Sequence, residues 1–263
     1  MKICYWSIAW GQYSYILQAL LKSFKDVGIE EDFHVFCDKE LKYAKNHELV
    51  SSIQLDHLQF FKFHYLKEIA KLDYDVFVFI DADHFFIKKP DISIEEILNG
   101  DPWHSFLESP INSTKTQRAD WWSIKNQDLI KYFKELGVVS NEIRNTNGGF
   151  WICKKDFINE AFDLAFKAHN YLKLQNHTVP EEVSIAYISH IASKNIENRF
   201  AEKYFNYWAS DWTSNFNNII PKNQPWEWVS YMTMEKFIIN PAIVHAMRSK
   251  NALIEYGKNI LTN

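Results

Sequence analysis

Glycine is scarce in this chain: seven residues among 263, with Gly11 the only one before Gly28. That excludes a glycine-rich N-terminal loop of the kind that wraps a nucleoside triphosphate. Only three cysteines occur, and none forms a Cys-x-x-Cys pair. Cys4, Cys37 and Cys153 each sit in a short apolar run and read as small buried hydrophobes in a reducing compartment. Long apolar runs are missing too. The longest are about five residues, against the ~20 needed to span a bilayer, and Met1 to Trp10 lacks the extended apolar region of a secretion signal. The expectation is a cytoplasmic protein with no integral membrane segment. Positive charge is nowhere concentrated: 29 Lys and Arg against 33 Asp and Glu give a net charge of −4 and a pI near 6.2. Affinity for a nucleic-acid backbone rests on clustered cations, so nucleic acid is not an expected partner. A phosphorylated ligand would need a bound cation or a few local basic side chains.

Aromatic residues are abundant, with ten Trp, thirteen Tyr and twenty Phe. Most such rings supply apolar area to a core. A sharper alternative is sugar stacking by Tyr204, Tyr207, Trp208, Trp212, Trp226 and Trp228, which crowd into an aperiodic, aromatic-rich region that begins at about residue 195.

The first half alternates short apolar runs with helical periodicity, the pattern of strands joined by crossover helices. Lys2 to Trp10 reads as a strand. Ile16, Leu17, Leu20, Leu21 and Phe24 then mark a helix closed by Gly28. Phe33 to Cys37 is a second strand, and Phe60, Phe61, Leu66, Ile69 and Ala70 outline a helix. Trp103 to Leu107 and Phe150 to Cys153 read as strands, and Gln127 to Leu136 as a helix stopped by Gly137. Asp156 is the expected cap of a long helix through Phe162, Ala165, Phe166 and His169. Thr178 and Glu181 form a capping-box pattern that opens a helix through Val183, Ala186 and Ile191. Ala242 to His245 reads as a short strand delivering a histidine. With no repeat or low-complexity linker, residues 1–263 are expected to form one domain.

The chemistry-bearing signal is the segment Asp75-Val-Phe-Val-Phe-Ile-Asp-Ala-Asp83. An unbroken apolar run fits a strand covered on both faces, and ligands of open α/β sheets bind beyond the carboxyl ends of such strands. Asp81 and Asp83 stand there, with one-residue spacing that lets both reach one Mg²⁺ or Mn²⁺, the alternative being an ordinary polar strand end. Asp73-Tyr-Asp75 has the same spacing but precedes the strand, where a solvated turn suffices. Asn147-Gly148-Gly149 combines directional amide bonding with close backbone approach, or else is a simple turn. His64, His84 and His104 carry no comparable signal.

The run from Phe60 to Pro90, with Lys62 on the helix before the strand and Asp81-Ala82-Asp83 after it, resembles the core of GT-A-fold glycosyltransferases, especially the glycogenin-like and lipopolysaccharide-galactosyltransferase-like group. Asn145-Thr-Asn-Gly-Gly-Phe-Trp-Ile-Cys153 resembles that group's Asn-x-Gly segment. The resemblance implies a central, mostly parallel, twisted sheet flanked by helices and transfer of a hexosyl group from a nucleotide sugar, with a UDP-sugar favoured, to a saccharide or other hydroxyl acceptor. It implies metal ligation by Asp81, Asp83 and His245. Donor contacts would come from Ile8, Ala9, Trp10, Lys62, Ala82, Asn147, Gly148, Arg248 and Lys250, and the catalytic residues facing the sugar would be Asn147 and Glu182, the latter as nucleophile or as electrostatic partner of an oxocarbenium-like transition state. Glu181-Glu182 stands where the family has an Asp-Gln or Asp-Glu pair, and the family's C-terminal His-x-x-Gly-x-x-Lys pattern is imperfect here, with Arg248 in place of the glycine. Lys62 could instead be a solvent-facing lysine, and Glu181 is explained by capping alone. Ser109 to Trp122, with Lys115 and Arg118, reads as a loop that either covers the donor or is plain surface. Retention of anomeric configuration is the outcome the resemblance favours. A sugar-nucleotide pyrophosphorylase lacks its glycine loop here, and in a haloacid-dehalogenase-type phosphatase the Asp-x-Asp closes the first strand. A carbohydrate-binding protein on a degenerate transferase scaffold is the non-catalytic alternative.

Overall fold

A computed structural model of the chain describes residues 1–50, 60–177, 181–210, 220–223 and 225–262. Trp212, and Thr178 of the expected capping box, lie outside them. The first half runs β1 (Ile3–Ala9), α1 (Tyr13–Asp26), β2 (Asp32–Cys37), β3 (Lys45–His47), α2 (Phe61–Ile69), β4 (Val76–Ile80), β5 (His84–Phe86) and α3 (Ile94–Leu98). There follow β6 (Trp103–Pro110), β7 (Asp120–Trp121), β8 (Ile124–Lys125), α4 (Asn126–Glu135), β9 (Arg144–Lys154), α5 (Ile158–Leu174) and α6 (Glu181–Ala192). The last elements are β10 (Trp208–Ser210), β11 (Trp226–Val229), β12 (Lys236–Ile239), β13 (Ile243–His245) and α7 (Lys250–Thr262).

The architecture is α/β, with a mixed six-stranded sheet in the order β3-β2-β1-β4-β9-β6. β3, β2, β1 and β4 are parallel, while β9 runs antiparallel to both β4 and β6. β4 is buried along its whole length, and its side chains alternate between two cores. Val76, Val78 and Ile80 face the layer containing α1 and the C-terminal segments, whereas Phe77 and Phe79 face α2, α5 and α6. The continuous apolar run is thus the consequence of cover on both faces. The apolar stripe of α1 from Ile16 to Phe24 is buried as its spacing predicts, and Gly28 leaves the helix at φ +74°. All three cysteines are free and buried.

Because β2 and β4 flank β1 on opposite sides, the chain reverses its winding direction between β1 and β4. That switch point leaves a crevice at their carboxyl ends, where neighbouring connections diverge. A second, three-stranded sheet, β10-β13-β5, joins the segment after the Asp-x-Asp turn to the C-terminal region.

Several expectations need correction. Asp156 does not cap α5: a 3-10 turn over Lys155–Phe157 intervenes, and the helix starts after Phe157 without a side-chain cap. The Lys155 amide is held on the carbonyl of Asp75, so the end of β9 is tied to the turn before β4 and the helix begins late. Asn147-Gly148 is no turn; it lies within the eleven-residue β9, beside register shifts in the β6–β9 pairing. The aperiodic region holds β10 and the β11–β12 hairpin. Tyr204, Tyr207, Trp208, Trp226 and Trp228 are all core residues, which removes them as sugar-stacking surfaces. Helix α7 was not anticipated. Among the described residues, no helix is long and apolar enough to cross a membrane.

α7 packs against α1 through Gly257, where a Cβ would lie 1.8 Å from the backbone oxygen of Tyr15. Gly257→Ala should therefore push the two helices apart and cost about 2 kcal/mol or more, as overpacking does. Urea denaturation measures this, and an unchanged midpoint would show that the contact is dispensable.

Candidate functional site

The site is built where β4 ends. The Asp81 amide donates to the carbonyl of Gly149 (2.8 Å), which ties the turn to β9, and the chain then bends through Ala82 and Asp83 into β5. This turn sends the two carboxylates to different partners. Asp81 accepts from Lys62 Nζ at 3.0 Å, and the same ammonium lies 2.6 Å from Glu181 Oε1. Lys62 is buried, so the solvent-facing alternative does not hold. Burial opposes its charge, but Asp81 and Glu181 hold its pKa above the usual lysine value. Burial pushes Glu181 up to about 7, with Lys62 pulling the other way. Its carboxylate is committed to Lys62.

Asp83 turns inward. Its Oδ1 lies 3.0 Å from His245 Nε2 and its Oδ2 3.0 Å from Lys250 Nζ. Burial alone would raise its pKa, yet His245 and Lys250 hold it well below the usual carboxylate range. Burial likewise works against charge on His245, while Asp83 beside it raises the imidazole above its ordinary value. The placement follows from strand register, because β13 pairs with β5 so that His245 stands opposite His84, and with β10 so that it stands opposite Ser210. The Ala246 amide donates to the Asp83 carbonyl at 2.7 Å, closing the contact.

Asp83, His84 and His245 present ligand atoms within 4.8 Å of one another, a group that could hold a metal ion. The hydrogen bonds of His84 argue for a different role. An indole N–H can only donate, so Trp208 Nε1 at 3.1 Å makes His84 Nε2 an acceptor and leaves the proton on Nδ1, which donates to the Asp81 carbonyl at 3.0 Å. Burial drives the His84 pKa well below the usual histidine value, which keeps that neutral tautomer. Its ring stacks on His245 with centroids 4.5 Å apart. His84 thus orients both the turn and the second imidazole, and Asp83 with His245 forms the pair best placed as ligands. A carboxylate oxygen beside an imidazole nitrogen suits Mn²⁺ better than Mg²⁺, which prefers oxygen throughout.

One cavity meets this turn, and a second is connected to the ligand pair through Ser210. The first, about 290 Å³, lies at the switch point: Ile8, Ala9 and Trp10 come from the end of β1, Lys62 from α2, Asp81, Ala82 and Asp83 from the turn, and Lys250 from the start of α7. These eight expected residues are brought together with Tyr13 and Phe61. Arg248 is exposed and is not among the residues lining either cavity. The second cavity, about 350 Å³, takes Asn147 and Glu182 on its wall with Glu108, Asn145, Trp122 and Ser210. Glu182 is held by the Gly148 amide (3.2 Å) and by the Trp122 indole N–H (2.6 Å), and burial raises its pKa. Ser210 Oγ lies 3.4 Å from both His245 Nδ1 and Asn147 Nδ2, linking the ligand pair to the second wall.

The paired glycines serve this packing. A Cβ on Gly148 would lie 3.0 Å from Glu181 Oε1 and 3.0 Å from Glu182 Cγ; one on Gly149 would lie 2.8 Å from His84 Cε1 and 2.9 Å from Asn147 Oδ1. The close approach expected of them is therefore to the site's own side chains. Lys115 and Arg118 engage Glu235 and Tyr231, and neither lines the first cavity. Asp73 pairs with Lys2 on the surface at the far end of β4, as a solvated turn should.

Sequence reasoning missed His84, Glu108 and Trp122. For Glu108 a signal existed, since it is the one charged residue in the otherwise apolar and small-polar β6 after His104. Trp122 gave none, because the hairpin that presents it lacks the Asn-Gly type of pair that marks a two-residue turn. No protein-family model and no curated protein sequence matches the chain.

Glu108 supplies a pH test. Burial pushes its pKa up to about 8, with Glu182 adding to the rise and the Asn145 amide opposing it. A raised carboxylate contributes stability that is fully present below the unfolded pKa near 4.5 and is lost as pH climbs through about 8. Glu108→Gln escapes this loss, so its stability relative to the parent should rise by on the order of 2 kcal/mol between pH 6 and pH 9. Chemical denaturation at the two pH values reads it, and parallel pH profiles would refute the assignment.

Proposed function

We propose that this chain is a metal-dependent glycosyltransferase of the GT-A type, moving a hexosyl group from a nucleotide sugar to a saccharide or other hydroxyl acceptor. The observation that carries the reading is the first cavity: Asp81, Asp83, Lys62 and Lys250 line one crevice at the switch point between β1 and β4, with His245 buried behind Asp83 at 3.0 Å. A nucleoside diphosphate needs this combination, because its charge must be met by cations while its base needs an apolar wall. Trp10, Tyr13 and Phe61 provide that wall.

Asp83 and His245, with Asp81 on the same cavity, would hold Mn²⁺, which when bound would offset charge on the diphosphate as the glycosidic bond breaks. Lys250, already at Asp83, is placed to accompany the leaving diphosphate, and Lys62 fixes Asp81 in the crevice. Glu182, fixed by two N–H donors on the wall of the neighbouring cavity, presents a carboxylate to positive charge developing at the sugar. Asn147, tied to the ligand pair through Ser210, lies beside it. A UDP-sugar donor and retention of configuration rest on the sequence resemblance.

Thermal shift and donor hydrolysis over a panel of nucleotide sugars, with and without Mn²⁺, test the reading. A ligand at about 100 times its Kd adds roughly 2.7 kcal/mol to stability. The parent should be stabilised by a nucleotide sugar only when Mn²⁺ is present, and should hydrolyse it slowly. Asp83→Ala and His245→Ala should lose both responses. If no nucleotide sugar stabilises the parent, or if Asp83→Ala responds as the parent does, the proposal is wrong.

A further inference from the structure

The second cavity contrasts with the first in charge. Glu108, Asp120 and Glu182 stand on its wall, and no Lys or Arg does. The segments outside the described residues cannot change this, since 51–59, 178–180, 211–219, 224 and 263 contain neither residue type. An anionic ligand would meet acidic groups there with no cation on the wall to offset its charge.

The same wall presents an aromatic ring in an unusual way. β7 and β8 pair through Asp120↔Lys125 and Trp121↔Ile124, so their connection is the two-residue turn Trp122-Ser123. Both residues have positive φ, 53° and 62°. Two successive left-handed residues make the tight hairpin turn that Asn-Gly normally fills, and a bulky aromatic is disfavoured there. Trp121 is buried in the core beneath, whereas Trp122 remains 44% exposed at the cavity. Its only polar atom is committed to Glu182 at 2.6 Å, so the surface it offers a ligand is carbon. Around it are groups that bond hydroxyls: the Glu108 carboxyl, bridged to Asn145 Nδ2 at 3.1 Å, and the Asn147 amide.

We propose that this cavity is the acceptor subsite and takes an uncharged pyranoside, with Trp122 as the platform for the apolar C–H face of the sugar and Glu108, Asn145 and Asn147 reading its hydroxyls. The inference rests on the glycosyltransfer reading for the word acceptor. The choice of a neutral saccharide over an anionic one comes from the wall itself. Indole carbon matches the C–H face of a pyranose, and carboxyl and amide groups match its rim.

Saturation-transfer NMR on the full chain, with glucose, galactose, N-acetylglucosamine, lactose and maltose as neutral probes and glucose 6-phosphate and sialic acid as anionic ones, tests this. At least one neutral sugar should bind the parent and neither anionic sugar should. Trp122→Ala should weaken that binding about tenfold, and Trp122→Phe, which keeps a ring but loses the N–H, should stay within about threefold. Unchanged melting temperatures verify that both variants fold. No neutral sugar bound, equal binding of the anionic probes, or parent-like affinity in Trp122→Ala each overturns the inference. The Mn²⁺-dependent response to nucleotide sugars, measured on the same samples, separates the two readings. If it persists while sugar binding ignores Trp122, the subsite alone is lost; if it is absent while sugar binding depends on Trp122, the cavity remains a saccharide site and the transferase reading falls.

Discussion

The buried carboxylate of Asp83 is the constraint on which the rest depends. Removing such a charge from water costs several kcal/mol unless partners compensate it. Its partners His245 and Lys250 lie at the other end of the chain, 162 residues on in the case of His245. Meeting that demand draws the C-terminal segment back over the sheet: β13 docks between β5 and β10, and α7 begins at Lys250 and packs along α1. Breaking the contact would leave a charge stranded inside the protein, so the fold and the crevice are held by one interaction.

Electrostatics then divides the cleft. On one side, in the switch-point crevice, Lys62 and Lys250 stand paired with the carboxylates of Asp81 and Asp83. On the other side the wall carries acids and amides with an exposed indole. Serine and asparagine hydroxyl and amide groups join the two, through Ser210 between His245 and Asn147. Buried polar networks of this kind are costly when incomplete, and His84 meets that demand on both ring nitrogens, accepting from Trp208 and donating to the Asp81 carbonyl.

Much of the first half was legible because its signals are local. β1, α1 and β4 announce themselves by apolar period, and the carboxyl end of a doubly covered strand is where a ligand belongs. Eight of the expected donor-side and metal-side residues accordingly line one cavity. What escaped is whatever depends on distant partners. His84 looked unremarkable until strand register placed it under His245, and the C-terminal tryptophans looked like a binding surface until packing made them core. Trp122 sits in a turn that local chemistry disfavours, so no rule of turn composition could point to it. Asp156 resembled a helix cap, but the backbone tie from Lys155 to Asp75 set the start of α5 instead. For Asn147-Gly148, placement inside the long β9, between Thr146 paired with β6 and Phe150 paired with β4, outweighed the local tendency of Asn-Gly to turn.

Anomalous diffraction from crystals grown with Mn²⁺ and UDP locates the cation and the nucleotide in one experiment. One manganese peak is expected at about 2.2 Å from Asp83 and His245, with Lys250 turned from the carboxylate to the phosphates and the uracil against Trp10 and Phe61. Manganese bound elsewhere, or an Asp83–Lys250 pair left intact with nucleotide absent from the switch-point crevice, would contradict this placement.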